Sequence, residues 1–279
     1  MQLKLPQRSL SLAIPRVMGI INRTPDSFSD GGCHADLEAA CARARAMIAE
    51  GADIIDIGGE STRPGSATVT EAEEIDRVVP LIEALRRESD IVISIDTMKP
   101  AVMRAACRAG AELVNDVFAL QAAGSLDAVR ETGAAVCLMH MQGEPRTMQD
   151  APHYDDVVAE VRDFLVRRVA ICVAAGIERE RLCVDPGIGF GKRLPHNLAL
   201  LRALPQLREL GCPLLLGVSR KSMFADLLGR PVGERLPGAL AVAAIAVARG
   251  VAIVRTHDVR ATVDAVRVAQ ALSMAQEAE

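Results

Sequence analysis

Tryptophan is absent, and the 279 residues include one tyrosine and five phenylalanines, 2% aromatics in all. That leaves almost no stacking platform for single-stranded nucleic acid. An excess of positive charge is missing too. The 32 basic residues face 36 acidic ones, net −4, so no long-range field draws in a polyanion. The expectation is a protein with no nucleic-acid partner, which grips its ligand with polar groups and backbone. The seven cysteines, Cys33, Cys41, Cys107, Cys137, Cys172, Cys183 and Cys212, contain no C-x-x-C pair. Odd in number and widely spread, they suggest neither a disulfide framework nor a zinc site. Several lie inside apolar runs and read as small buried hydrophobes in a reducing compartment. The opening stretch MQLKLPQRSLSLAIPR lacks the charged head and unbroken apolar core of a signal peptide. No run approaches the roughly 18 apolar residues of a membrane span. A soluble cytoplasmic protein with no membrane association is expected.

What the sequence does hold is a rhythm. A helical pattern ends in Gly, a short apolar run follows, and the run ends in a polar residue. It recurs after Gly51, Gly110, Gly133, Gly176, Gly211 and Gly250. Glycine just past a helix is the usual left-handed stop. Short Ile/Val/Leu runs without alternation read as strands buried on both faces of a parallel sheet. Residues 17–21 and 91–95 add two more such runs. Between the runs lie helices. Residues 36–50 place Leu37, Ala40, Cys41, Ala44, Met47 and Ile48 on one face. Ile75, Val78, Val79, Ile82 and Leu85 mark the next helix, which opens with a capping box from Thr70 to Glu73. Residues 154–175 and those after Asp258 also read as helical, and 238–249 is apolar nearly all round, as for a helix buried in the body or at a subunit contact. Strands and helices alternate eight times, which predicts an α/β fold of the eight-stranded TIM type, a (β/α)8 barrel. An open doubly wound sheet is the runner-up, but no strand–GxGxxG–helix start supports it. Residues 2–14 look like a short β arm ahead of the barrel. No linker or low-complexity tract divides the chain, so 1–279 reads as one domain.

A barrel of this kind builds its active site at the carboxyl ends of the strands. Those ends carry Asn22, Asp56, Asp96, Asn115, His140, Asp185, Ser219-Arg220-Lys221, and Arg255 with His257. Any one of them has an alternative explanation: Asp56 as a helix cap, His140 as a structural strand-end residue. Eight polar ends converging on one mouth reduce that explanation for the set. Asp96, Asn115 and Asp185 suit the hydrogen-bonding edge of a flat, nitrogen-rich heterocycle. Lys221, Arg255, His257 and Arg63 supply cationic donors that suit phosphate. The carboxylates come from different strands without ligand spacing, so a metal cage is not expected. Three segments stand out: NRTPDSFSDGG (22–32), GGESTRPGS (58–66) and DPGIGFGK (185–192). The first two are long and rich in turn residues, suited to closing over the mouth. The glycines of the third would let backbone come close to a flat ligand. Its spacing is not that of a Walker loop.

Taken in order, VMGIINRTPDSFSDGG, DIGGESTRPGS, SIDT, NDV, LMHMQG, DPGIGFGK, GVSRKS and RTHDV resemble the motifs of the dihydropteroate synthases, pterin-binding enzymes of folate biosynthesis. The resemblance runs from end to end of the chain. It implies a TIM-type barrel, commonly homodimeric, that condenses 6-hydroxymethyl-7,8-dihydropterin diphosphate with 4-aminobenzoate and requires Mg²⁺. Position by position it implies that Asp96, Asn115, Asp185 and Lys221 hold the pterin ring. Asn22 would ligate Mg²⁺ together with diphosphate oxygens, and Arg255, Thr256 and His257 would bind the diphosphate. Phe28, Asp30, Thr62, Arg63, Pro64, Phe190 and Ser222 would form the aminobenzoate site and its closing loops, where sulfonamides would compete. The catalytic set is then Lys221, Asp96, Asp185, Arg255 and His257, acting through electrostatics with no covalent nucleophile. Arg23 departs from the family pattern, which shows a small apolar residue there; it either adds charge near the diphosphate or points outward. Two other readings are a catalytically silent pterin-binding paralogue and a methyltetrahydrofolate-type methyltransferase domain. The first should have lost loop residues that are present here. The second has no need for the second loop or for SRKS. A phosphate-binding aldolase-type barrel fits the fold but explains none of the loops.

Overall fold

The computed structural model describes residues 1–23, 32–61, 68–145 and 147–275, with 32–35 and 274–275 described by backbone only. Two short strands, β1 (Gln2–Lys4) and β2 (Ser9–Ser11), pair antiparallel as the expected arm. The barrel strands are β3 (Arg16–Asn22), β4 (Ile54–Gly58), β5 (Val92–Asp96), β6 (Leu113–Asp116), β7 (Ala135–Met139), β8 (Leu182–Asp185), β9 (Leu215–Gly217) and β10 (Ile253–Thr256). All pair in parallel, in the spatial order β8-β7-β6-β5-β4-β3-β10-β9. The β8–β9 seam is carried by one bridge, Val184 with Leu214, and by the Val184 N–H donating to Pro213 O at 2.9 Å. Pro213 has no N–H to return, which keeps this seam the thinnest in a nearly closed ring.

The helices between the strands are α1 (Gly32–Ala49), α2 (Glu71–Glu88), α3 (Pro100–Ala109), α4 (Ser125–Thr132), α5 (Val157–Ala174), α6 (Leu194–Arg202), α7 (Leu204–Arg208), α8 (Met223–Leu228), α9 (Leu236–Ala248) and α10 (Val259–Ala275). The count exceeds eight because the connections after β8 and β9 each carry two helices. Pro205 and Pro237 sit where a helix can begin but not continue, and each opens the second helix of its pair. The predicted capping box is present: the Thr70 hydroxyl accepts from Glu73 N–H and the Glu73 carboxylate accepts from Thr70 N–H. On α9, Ala239, Ala243, Ala246 and Val247 are buried while Ile245 is 53% exposed. Its apolar character is therefore only half used by the body of the chain.

Strand alternation sorts the side chains into two cores. Residues facing outward, such as Val17, Ile55, Ile93, Val114, Val136, Val184, Leu216 and Val254, pack against the helices in one continuous cluster. The inward set, Met18, Ile54, Val92, Leu113, Ala135, Cys137, Cys183, Leu215 and Ile253, forms a second cluster with Leu3, Leu5 and Leu12 of the arm. The arm thus plugs the amino-terminal end of the barrel. The described cysteines are free, and all but the half-buried Cys107 are buried, in keeping with their reading as small hydrophobes.

Candidate active site

Two residues further along five of the strands, the inward positions turn polar. Ile54 is followed by Asp56, Val92 by Ser94 and then Asp96, Leu113 by Asn115, Cys183 by Asp185 and Ile253 by Arg255. The pairing register puts Asp56 beside Ser94 and Asp96 beside Asn115. Period-2 geometry therefore carries one apolar floor and, directly above it, a polar layer facing the same lumen.

Arg255 is at the centre of this layer. Its Nε donates to Asp56 Oδ2 and its Nη2 to Asp96 Oδ2, each at 2.6 Å. Nη1 has no partner among the described residues, so its two N–H groups, with the second on Nη2, remain for a ligand. Burial alone would lower the guanidinium pKa, but Asp56 and Asp96 together raise it, and Arg255 stays cationic. Asp56 Oδ2 also accepts from Asn115 Nδ2 at 3.1 Å. With one amide proton engaged below, Asn115 keeps a carbonyl oxygen and a second N–H for the mouth. Asp56 is thus no helix cap: it lies wholly buried inside the barrel and joins Arg255 to Asn115. The clue in the sequence was a lone carboxylate at an inward position of an otherwise apolar strand.

Asp185 accepts the Gly187 N–H at 2.7 Å. Burial lifts its carboxyl to about 6, against the backbone hydrogen bond and the nearby Lys221. Burial likewise pushes Asp96 up to about 7 despite Arg255 beside it, and pushes the Lys221 ammonium down to about 8. These groups can therefore change charge near neutrality, as functional sites often arrange. Lys221 Nζ lies 3.9 Å from the centre of the Phe190 ring, a cation–π contact. Against this polar side stands an apolar wall of Val117, Met139, Met141 and Met148, with Met98, Phe118 and Phe190 packed on it. The sequence reading named only Phe190 of these. Part of the wall is held by unusual backbone: Ala119 and Leu120 have φ of 53° and 56°. The Asp116 carboxylate accepts from Phe118 and Leu120 N–H, and Arg168 donates to the carbonyls of Ala119 and Leu120.

The 185–192 segment shows why its glycines are needed. Gly187 has φ of +69°, and a Cβ there would lie 1.8 Å from His140 O. At Gly191 a Cβ would lie 2.5 Å from Gln142 O. The glycines let this segment press against the protein's own β7 loop, which the sequence reading had assigned to ligand approach. His140 is structural, one of the two readings its position allowed. Its Nδ1 lies 2.9 Å from Lys192 Nζ, and its ring meets Phe164 edge-on at 4.9 Å.

On the β3–β10 side, Asn22 Oδ1 would lie 3.3 Å from a Cβ on Gly58. The bare glycine leaves room for that oxygen at the strand ends. The His257 N–H donates to Ser219 Oγ at 3.2 Å, and His257 Nδ1 lies 3.0 Å from the same oxygen. Thr256 is 4% exposed, and its Oγ1 bonds Thr262 and the Asp258 N–H on the outer face, so its backbone is the part nearest the mouth. Ser222 is exposed at the start of α8. Phe28, Asp30, Thr62, Arg63 and Pro64 lie outside the described residues. The stems that carry their segments are tied together. Arg23 N–H donates to Gly58 O, the Arg23 guanidinium to Arg77 O on α2, and Arg77 to Gly59 O. Arg23 therefore reaches outward to α2, which settles its direction. Lys99 Nζ donates to Glu60, Glu74 and Val69 O, clamping both ends of the 61–68 stretch.

Residues 18–257 match the family described as pterin binding enzyme. The dihydropteroate synthase of Escherichia coli K12 is 52% identical over 269 residues, 96% of this chain and 95% of that protein. Among solved structures, a Yersinia pestis dihydropteroate synthase with a sulfonamide drug complex superposes with a TM-score of 0.93 at 50% identity, over 98% of this chain and 99% of that one. A Xanthomonas albilineans dihydropteroate synthase with 4-aminobenzoic acid gives 0.92 at 52%, over 97% of both chains.

Proposed function

The chain belongs to the pterin-binding enzymes, and from that membership we propose that it is a transferase of the dihydropteroate synthase type. The reaction joins 6-hydroxymethyl-7,8-dihydropterin diphosphate to 4-aminobenzoate. The C–O bond between the pterin methylene and the diphosphate breaks, the aromatic amine forms the new C–N bond, and the amine proton and pyrophosphate leave. The observation that carries this reading is the polar layer itself: Asp96, Asn115 and Asp185 face one lumen around Arg255 and beside an apolar wall, with Lys221 and His257 at its rim.

In this reading Asp185 and Asn115 match the hydrogen-bonding edge of the pterin, and the wall covers its flat face. Asp96, next to the methylene, favours the electron-poor pterin formed as the diphosphate departs. Arg255, through N–H groups that Asp56 and Asp96 do not engage, and His257 hold the leaving group and stabilise its growing charge. The lumen excludes water from the electrophilic carbon, and the rim at Phe190, Lys221 and Ser222 orients the amine.

Mg²⁺ is the implied cofactor. Among the described residues no cluster of three His, Cys, Asp or Glu forms a cage. A magnesium ion bound chiefly through substrate phosphates and water needs few protein ligands. The Asn22 carbonyl oxygen, with open space over Gly58, fits as such a ligand; when bound, the ion would neutralise charge on the departing diphosphate. No described helix is long and apolar enough to cross a membrane, and a cytoplasmic enzyme of one domain is proposed. A homodimer is proposed as well, supported by the exposed Ile245 of α9 and the exposed Val268 and Leu272 of α10.

The test is to mix purified protein with the pterin diphosphate, 4-aminobenzoate and Mg²⁺ and follow pyrophosphate. The expected result is release that needs all three, that competes with sulfonamides against 4-aminobenzoate, and that Lys221→Ala and Asp96→Asn abolish. Full activity in either variant would overturn the site.

A further inference from the structure

Lys192 ends the segment DPGIGFGK, is 3% exposed, and bonds none of the side chains that the mechanism uses. Its Nζ nevertheless has four acceptors: His140 Nδ1 at 2.9 Å, His140 O at 3.2 Å, Gly187 O at 2.9 Å and Phe190 O at 2.9 Å. An ammonium has three protons, so the two His140 acceptors share one. No other side chain could satisfy three converging carbonyls and an imidazole nitrogen at one point. An arginine fork is too wide, and an apolar side chain would leave the carbonyls buried and unpaired. Burial pushes His140 down to about 3, which keeps its ring neutral and able to accept.

The peptides gripped by Lys192 lead directly to the site. Gly187, whose carbonyl it holds, donates its N–H to Asp185 Oδ1 at 2.7 Å. Phe190, whose carbonyl it also holds, presents its ring to Lys221 Nζ at 3.9 Å. The rest of the segment is held by other groups: Gln149 donates to Gly189 O and Tyr154 to Gly191 O. Asn197 accepts the Gly189 N–H. Among the described residues only the Lys192 side chain bonds both Gly187, whose N–H orients Asp185, and Phe190, whose ring sits under Lys221.

The geometry points to Lys192 as a positioning residue for the pterin end of the site, acting through the Gly187 and Phe190 carbonyls on Asp185 and Lys221. The inference rests on the reading of those two residues as pterin contacts. It makes Lys192 selective. Arg255 and His257 are held by Asp56, Asp96 and Ser219, none of which Lys192 touches. Loss of Lys192 should therefore weaken pterin and spare the diphosphate.

The experiment compares full-length wild type with Lys192→Met, a side chain of similar length without donors. Equilibrium titrations with Mg²⁺ present use two probes, the pterin diphosphate without 4-aminobenzoate and inorganic pyrophosphate. The expected result is a Kd for the pterin diphosphate raised at least tenfold, with the pyrophosphate Kd changed less than twofold and unchanged far-UV circular dichroism. A pterin diphosphate Kd within twofold of wild type would overturn the inference, and so would equal weakening of both ligands, the mark of a merely structural lysine. If Lys192→Met does not fold, His140→Leu withdraws one acceptor and leaves the ammonium in place. A threefold or larger rise confined to the pterin diphosphate supports the inference, and no rise overturns it. Wild-type protein that binds pyrophosphate but no more tightly when it carries the pterin would defeat the reading of the site along with the inference.

Discussion

Asp56 Oδ2 and Arg255 Nε are 199 residues apart in sequence and 2.6 Å apart in space. They join the second barrel strand to the last across the lumen. Asp56 is wholly buried and Arg255 is 20% exposed, so solvent screens the pair little. Removing one partner of such a pair strands the other charge, at a typical cost of about 3–5 kcal/mol. Asp56→Ala should lower the unfolding free energy by about that much in urea titrations. Pyrophosphate release should fall at least tenfold, because Arg255 and Asn115 lose their common anchor. Asp56→Asn, which keeps an oxygen for one of the two donors, should lose less of both.

The shifted groups set a pH profile. Asp185 and Asp96 have raised values, about 6 and about 7, so both are ionised only above that range. Lys221 is lowered to about 8 and is cationic only below it. The charge state that the site requires thus exists between the two limits. The ratio kcat/KM for the pterin diphosphate should rise between pH 6 and 7 and fall above about 8. A profile flat from pH 5 to 9 would show that none of these groups titrates in the free enzyme. Lys221→Arg should remove the alkaline limb if that limb belongs to Lys221.

Arg23 carries a charge directly after Asn22 at the end of β3, yet its guanidinium donates to Arg77 O on α2. Pro80 lies in the same helix and interrupts its hydrogen-bond ladder near that carbonyl. Arg23→Met should therefore cost about 1.5–3 kcal/mol of stability, the typical worth of a hydrogen bond to a charged group. Its KM for the pterin diphosphate should stay within threefold of wild type. A tenfold rise in KM would mean that the charge acts on the substrate.

Ile245 on α9 and Val268 and Leu272 on α10 are 53%, 61% and 68% exposed. Apolar side chains so placed on two packed helices suit a face covered by a second copy. Leu272→Arg with Ile245→Glu should convert the proposed dimer to monomer in sedimentation velocity without loss of helical content. If the doubly substituted protein sediments like wild type, the contact lies elsewhere or the protein is already monomeric.

Most of the barrel was legible because its signals are local. Glycine stops, apolar runs and the Thr70–Glu73 box lie within a few residues of the structures they specify. The split of the β8 and β9 connections into helix pairs was missed, although Pro205 and Pro237 marked it. The polar strand ends were legible as a set, but the roles of individual members were not. Asp56 read equally well as a cap, since its partners Asn115 and Arg255 lie 59 and 199 residues away, and Lys192 drew no notice because His140, 52 residues away, joins it only in the fold. Met139, Met141 and Met148 carry no distinguishing mark in the sequence, and only their common position beside Phe190 makes them a wall.

The amino-acid sequence by itself determined the alternation of strands and helices, and with it the lumen into which every second strand residue must point. Period 2 and period 3.6 are properties of the backbone, and they need no distant partner. Which oxygen meets which donor was decided only when the sheet curved shut. Closure brought Arg255 to Asp56 and Asp96, and the pairing of β7 with β8 brought His140 to Lys192. Buried charges and carbonyls must find partners wherever the fold puts them, and the identity of those partners is a fact of three dimensions.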